Sequence, residues 1–275
     1  MSTRTRWTEA ELLIALNLYH KLTFGQMHAR QPLIIEVAAK LGRNANSLAM
    51  KLCNLASLDP ALKLRGIKGL SGASALDQSM WDRFHSELNE LAPASEEAFR
   101  KLYDIGDDSE IDVIPKRGVI VRKLRAPAET ESLANVRVRR GQEFFRESVL
   151  NNFDGRCGVS QLGVRELLIA SHILPWSSHP AERLNVRNGL CLSRVHDAAF
   201  DQGLITFDDS LQLVLSNGLR GHLSESIVDD LFGKFEGKTL HLPDDAALPD
   251  LSFLAKHRQS IFRKPVTVIS NGGSR

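Results

Sequence analysis

The stretch from Arg156 to Gly203 restricts the fold more than any other part of this chain. Apolar residues over Leu167–Ile173 and again over Gly189–Leu192 read as two short strands, and Arg194–Phe200 follows with helical spacing. Two strands and a helix in that order make a small ββα unit with one concave face. His172 falls at the end of the first strand, Asn188 directly before the second, and His196 inside the helix. Such an arrangement lets one imidazole act as a base while a second holds a metal ion.

These segments resemble the HNH nuclease family, whose core is the ββα-metal motif. Ser171-His172-Ile173-Leu174-Pro175-Trp176 is similar to the first histidine segment. Asn188-Gly189-Leu190-Cys191-Leu192 is similar to the central asparagine segment, and His196-Asp197-Ala198-Ala199-Phe200-Asp201-Gln202-Gly203 to the final helix. The lead-in Val138–Arg146 with Arg156–Ser160, and the closing segment Leu254–Arg258 with Phe262, resemble a subgroup of HNH restriction endonucleases. The likeness spans residues 129–265.

The resemblance implies that His172 is the general base, an imidazole whose unperturbed pKa of about 6.5 lies near working pH. It implies that Asn188 fixes the loop between the strands, and that His196 binds a divalent cation, Mg²⁺ or Mn²⁺. Many relatives place Asp or His before the base, where this chain has Ser171, a poor ligand. Asp201 is the favoured replacement ligand, because Asp197 points about 100° around the helix from His196. Arg183 and Arg187 flank the asparagine segment and are candidate phosphate contacts. Some HNH domains carry a zinc held by two CxxC pairs. Cys157 and Cys191 have no such partners, so no structural zinc is expected.

The first hundred residues read as helices. One runs from about Trp7 to Tyr19 behind a Thr8/Glu11 capping box, a second from Pro32 to Leu41 stops at Gly42, and a third covers Asn46–Leu55. Two more are expected near 77–91 and 95–103. The order is similar to Myb-like or helix-turn-helix modules, which implies that Arg43, Asn46 and Lys51 face DNA. The rival reading is a helical scaffold with a solvated basic face, or a surface for homodimerisation. From Asp104 onward charged residues mix with Pro and Gly, and 105–128 reads as a charged linker with one strand at Val119–Leu124. Leu204–Phe207 and Leu211–Leu215 read as a hairpin.

Charge supports separate surfaces. The chain of 275 residues has a net charge of only +2, yet residues 1–75 carry ten basic against four acidic groups, and residues 76–113 carry three against eleven. With no run of about 18 apolar residues, a membrane span is excluded. Three cysteines and a charged N-terminus favour a reducing, cytoplasmic setting. The expectation is an α+β protein: a helical module over 1–104, the linker, and an HNH nuclease domain over 129–275. It would hydrolyse DNA with a divalent metal, in restriction or a related prokaryotic defence. The alternatives are a catalytically inactive DNA-binding protein that retains the ββα fold, and a nuclease directed at RNA.

Overall fold

The computed structural model describes residues 6–123 and 133–262. The fold is α+β. Six helices come first: α1 (Glu9–His20), α2 (Pro32–Lys40), α3 (Ala45–Ala56), α4 (Pro60–Leu64), α5 (Ala75–Ser86) and α6 (Leu88–Leu102). Capping chemistry sets their ends. Thr8 and Glu11 close a capping box on α1, and Ser74 with Asp77 does the same for α5. Gly42 ends α2 in the left-handed region at φ +66°, where a side chain would be strained. The Gly42 and Arg43 amides then satisfy the Ala39 and Ala38 carbonyls.

The break between α5 and α6 falls at Glu87, not at Pro93 as the sequence suggests. Pro93 sits inside α6, although it cannot donate to the Asn89 carbonyl four residues back. Arg137, from the helix that follows, donates to that carbonyl at 3.2 Å. A long-range partner thereby relieves what reads locally as a helix breaker.

The region expected as a linker is folded over its described part. β1 (Ser109–Ile114) and β2 (Gly118–Lys123) form an antiparallel hairpin, with Ile111 opposite Val121. The hairpin lies on α7 (Leu133–Asn152), where Asn151 Nδ2 donates to the Val113 carbonyl at 2.7 Å and Glu147 accepts from the Val113 amide at 2.5 Å. Ser109, Ile111 and Val113 alternate inward. That period-two signal is masked in the sequence by the acidic residues between them. The last residue of the expected strand, Leu124, and the rest of the expected linker lie outside the described residues.

The C-terminal part contains β3 (Leu168–His172), β4 (Gly189–Ser193), α8 (Arg194–Asp201), the hairpin β5 (Ile205–Phe207)–β6 (Leu213–Leu215), two short helices α9 (Asn217–Arg220) and α10 (Ser226–Leu231), and α11 (Leu251–Ser260). Helix α7 packs on α6 on one side and on β3 and β4 on the other, so one apolar core continues from Leu12 and Phe99 to Leu190 and Phe200. α7 approaches its neighbours closely at Gly141, where a Cβ would lie 3.3 Å from both Leu184 methyls and 3.5 Å from Pro93. Among the described residues no helix is long and apolar enough to cross a membrane.

Candidate active site

β3 and β4 are antiparallel, with His172 opposite Gly189 and Ser171 opposite Leu190. A Cβ on Gly189 would fall 2.3 Å from a Val149 methyl and 2.9 Å from Phe145, so only glycine lets the strand pair lie on α7. That contact places Phe145 face to face with His172, with centroids 4.0 Å apart and planes 9° from parallel. Trp176 meets the same imidazole edge-on at 5.4 Å.

The imidazole of His172 is oriented by one hydrogen bond. Nε2 lies 2.9 Å from the Arg183 carbonyl, which can only accept, so Nε2 carries the proton and Nδ1 keeps its lone pair. Nδ1 has no protein partner among the described residues. Burial lowers the His172 pKa, while the Arg183 carbonyl and the Asp197 charge pull it back up.

Asn188 is completely buried and closes the loop between the strands. Its Oδ1 accepts from the Leu174 amide at 2.8 Å, and its Nδ2 donates to the Glu182 carbonyl at 3.0 Å and to the Leu174 carbonyl at 3.4 Å. The carbonyl that orients His172 belongs to the residue after Glu182, so the amide sets the imidazole indirectly.

His196 does not join this face, and the expectation that it holds a metal is corrected. Its ring is 2% exposed. Nε2 donates to the Leu231 carbonyl at 2.9 Å, and Nδ1 accepts from the Ser193 hydroxyl at 2.7 Å. The Cys157 sulfur lies 3.7 Å from the same nitrogen. Burial pushes that thiol up, while the His196 ring beside it and the Ser160 amide that donates to its sulfur pull it down to about 6. Helical geometry explains the orientation: His196, Ala199 and Phe200 share the buried face of α8.

The opposite face of α8 carries Arg194, Asp197, Ala198 and Asp201, spaced so that they form one stripe. Asp197 points at the end of β3. Burial raises its pKa, against the Ser171 hydroxyl and the charges of Arg194 and His172. Asp201 is raised by burial and by the negative charge of Asp197. The structure therefore gathers Ser171, His172, Asp197 and Asp201. Asp197 diverges from His196 by about 100° around the helix, and that divergence is what brings it to the site.

Among the described residues no three His, Cys, Asp or Glu side chains converge tightly enough to hold a metal unaided. Two carboxylates one turn apart suit a hard divalent cation such as Mg²⁺, which keeps several waters and takes its remaining ligands from phosphate. Ser171 fits this picture. Its buried hydroxyl lies against Asp197 without completing an ordinary hydrogen bond, an orphaned polar atom aimed at the same place.

The arginines and lysine expected at DNA are largely engaged within the protein. Arg183 donates from Nε to the Trp176 carbonyl at 2.8 Å and lies over the Trp176 ring. Arg187 bonds the Leu248 carbonyl and pairs with Asp250 at 3.2 Å. In the N-terminal module Arg43 pairs with Glu11 at 2.7 Å and stacks on Trp7. Lys51 is buried against both oxygens of Asp77, each at 2.7 Å. Pairing removes the free charge that phosphate contact would need, which corrects Lys51 and Arg43 as DNA-facing groups. Asn46 is exposed in the first turn of α3 and lines a groove of about 1180 Å³ with Arg6 and Trp7.

The HNH endonuclease family matches residues 157–208, which include every residue of the α8 stripe and both strands of the motif. No curated protein matches the chain. On this match, together with the β3–β4–α8 geometry, the chain carries a domain of the HNH endonuclease family, a nuclease fold.

Proposed function

We propose that this protein is a divalent-metal-dependent endonuclease that hydrolyses DNA phosphodiester bonds at the β3–β4–α8 face. The observation that carries the reading is the His172 imidazole, held with its Nε2 proton on the Arg183 carbonyl and its Nδ1 lone pair unclaimed.

His172 Nδ1 takes the proton of the attacking water, a role that places its pKa on the path of the reaction. Phe145, Trp176 and the Arg183 carbonyl hold the ring so that little rotational freedom is lost when substrate arrives. Asn188 keeps the 174–188 loop, and with it the orienting carbonyl, in place. Asp197 and Asp201 would hold the cation, with Ser171 beside them. When bound, Mg²⁺ or Mn²⁺ supplies Lewis-acid neutralisation of the charge that builds on the leaving oxygen. Cleavage in this manner leaves 5′-phosphate and 3′-hydroxyl ends. Restriction or a related defence is the biological setting that the sequence resemblance implies.

Plasmid nicking with Mg²⁺ or Mn²⁺ tests the reading on wild type and His172→Ala. The expected result is cleavage by the wild type and loss on the order of 10²- to 10⁴-fold in the variant, the span of general base catalysis. Retardation of DNA without cleavage under either ion overturns the enzyme reading in favour of a DNA-binding protein that keeps the fold. Preferential cleavage of RNA would overturn the DNA assignment.

A further inference from the structure

Helix α8 contains one charged group that the site described above does not use. Arg194 is the first residue of the helix, directly after its N-cap Ser193. It stands three residues before Asp197 and seven before Asp201, so all three lie on the exposed stripe. Its side chain is exposed and makes no hydrogen bond or ion pair with any described residue.

The surrounding cations contrast with it. A cleft of about 480 Å³ runs from Arg194 toward the β1–β2 hairpin and is lined by four further arginines. Arg122 pairs with Asp112 at 2.7 Å, Arg139 with Asp107 at 3.2 Å, and Arg165 with Glu147 at 2.6 Å. Arg146 donates to the Leu168 carbonyl at 2.8 Å. Each of these is occupied in holding the fold. Arg194 alone among the five is exposed and without a hydrogen bond or ion pair to any described residue.

Asp197 and Asp201 put two negative charges on the face that must receive a polyanion. A divalent cation cancels them, and a neutral His172 adds nothing. A phosphodiester then meets a surface without net attraction unless another cation is close. Arg194 is close enough for its charge to act on Asp197. Its planar fork matches two phosphate oxygens at once, which a lysine cannot do. The N-terminus of α8 adds a favourable dipole at the same end.

We propose that Arg194 is the phosphate-holding residue of this site, its guanidinium gripping non-bridging oxygens of the DNA phosphodiester presented to His172. The proposal rests on the nuclease reading of the β3–β4–α8 face. It assigns the contact to α8 in place of the Arg183 and Arg187 side chains, which the protein uses internally.

Two measurements test it. Binding of a labelled DNA duplex is read by anisotropy against salt, with Mg²⁺ present, in the His172→Ala background. Adding Arg194→Ala is expected to reduce the slope of log K against log salt by about 0.9, the share of one neutralised phosphate. His172→Ala with Arg194→Lys keeps the slope. In cleavage assays on the otherwise wild-type chain, Arg194→Ala lowers kcat/KM roughly 10- to 100-fold, as loss of one charge-assisted contact does. Arg194→Lys recovers part of that rate. Circular dichroism and the thermal midpoint stay at wild-type values, and Arg194→Gln repeats the test if the alanine variant does not fold. An unchanged salt slope together with kcat/KM within twofold of wild type overturns the assignment. A wild type that never cuts overturns the nuclease reading instead, and the slope still reports on Arg194.

Discussion

His196 and Asp197 are adjacent in the chain and serve opposite sides of α8. The imidazole is sealed in the core, 2.9 Å from the Leu231 carbonyl, while the carboxylate faces Ser171 and His172. One step of about 100° along a helix separates a structural group from a candidate metal ligand.

Replacing Asp197 or Asp201 with Asn therefore weakens binding of Mn²⁺, followed by calorimetry, and cleavage falls with it. The losses exceed the ~10- to 100-fold penalty of removing an outer-shell partner. Asp197→Asn gives the larger loss, because Asp197 also faces Ser171 and the base. Unchanged Mn²⁺ affinity in both variants would remove these carboxylates from the site.

His196→Ala acts on stability. It deletes a buried ring and leaves the Leu231 carbonyl and Ser193 hydroxyl without their partner. A loss of about 3 kcal/mol is expected in urea unfolding. The folded fraction keeps its Mn²⁺ affinity. A variant of normal stability that no longer binds the ion would return His196 to the metal.

Asn188→Ala frees both ends of the 174–188 loop, since the buried Leu174 amide and Glu182 carbonyl lose their partner. Stability drops by about 2–4 kcal/mol, and kcat falls more than KM rises because the orienting carbonyl of Arg183 is no longer fixed. Asn188→Asp keeps the acceptor but not the two donors, so it rescues neither quantity. Kinetics and urea melts on the two variants decide this.

Lys51 separates a DNA contact from a buried pair. Lys51→Ala strands Asp77, which is completely buried, and costs about 3–5 kcal/mol. The double change Lys51→Met, Asp77→Leu recovers most of that loss. If Lys51→Ala lowered DNA affinity at unchanged thermal midpoint, the residue would be a DNA contact after all.

His257 gives the fold a pH dependence. Its ring stacks on Phe200 at 3.8 Å, with Nε2 on the Phe200 carbonyl and Nδ1 at the Thr206 hydroxyl. Burial pushes its pKa down to about 4. The unfolded chain takes up a proton near pH 6.5 and the folded one does not, so stability is full above 6.5 and is lost as pH falls toward 4. Between pH 7 and pH 5 the contribution is about 2 kcal/mol. His257→Gln should show a correspondingly shallower fall in urea midpoint over that interval. An identical fall in both proteins would exclude His257 as the cause.

Much of this was legible along the chain because its causes are local. The Thr8/Glu11 box, the Gly42 stop, the strand–strand–helix order around His172 and Asn188, and the hairpin after Gly203 all depend on neighbours within a few residues. Even the orientation of α8 is written in its periodicity, since His196, Ala199 and Phe200 mark one face and Arg194, Asp197 and Asp201 the other. What the chain alone does not disclose are pairings between distant segments. Glu11 and Asp77 neutralise the basic residues of α3 and its approach, Arg137 makes Pro93 tolerable in a helix, and Asn151 turns an acidic stretch into a docked strand. A charge or a breaker has a sign in the sequence, but its energetic effect is fixed by the group that folding brings opposite it.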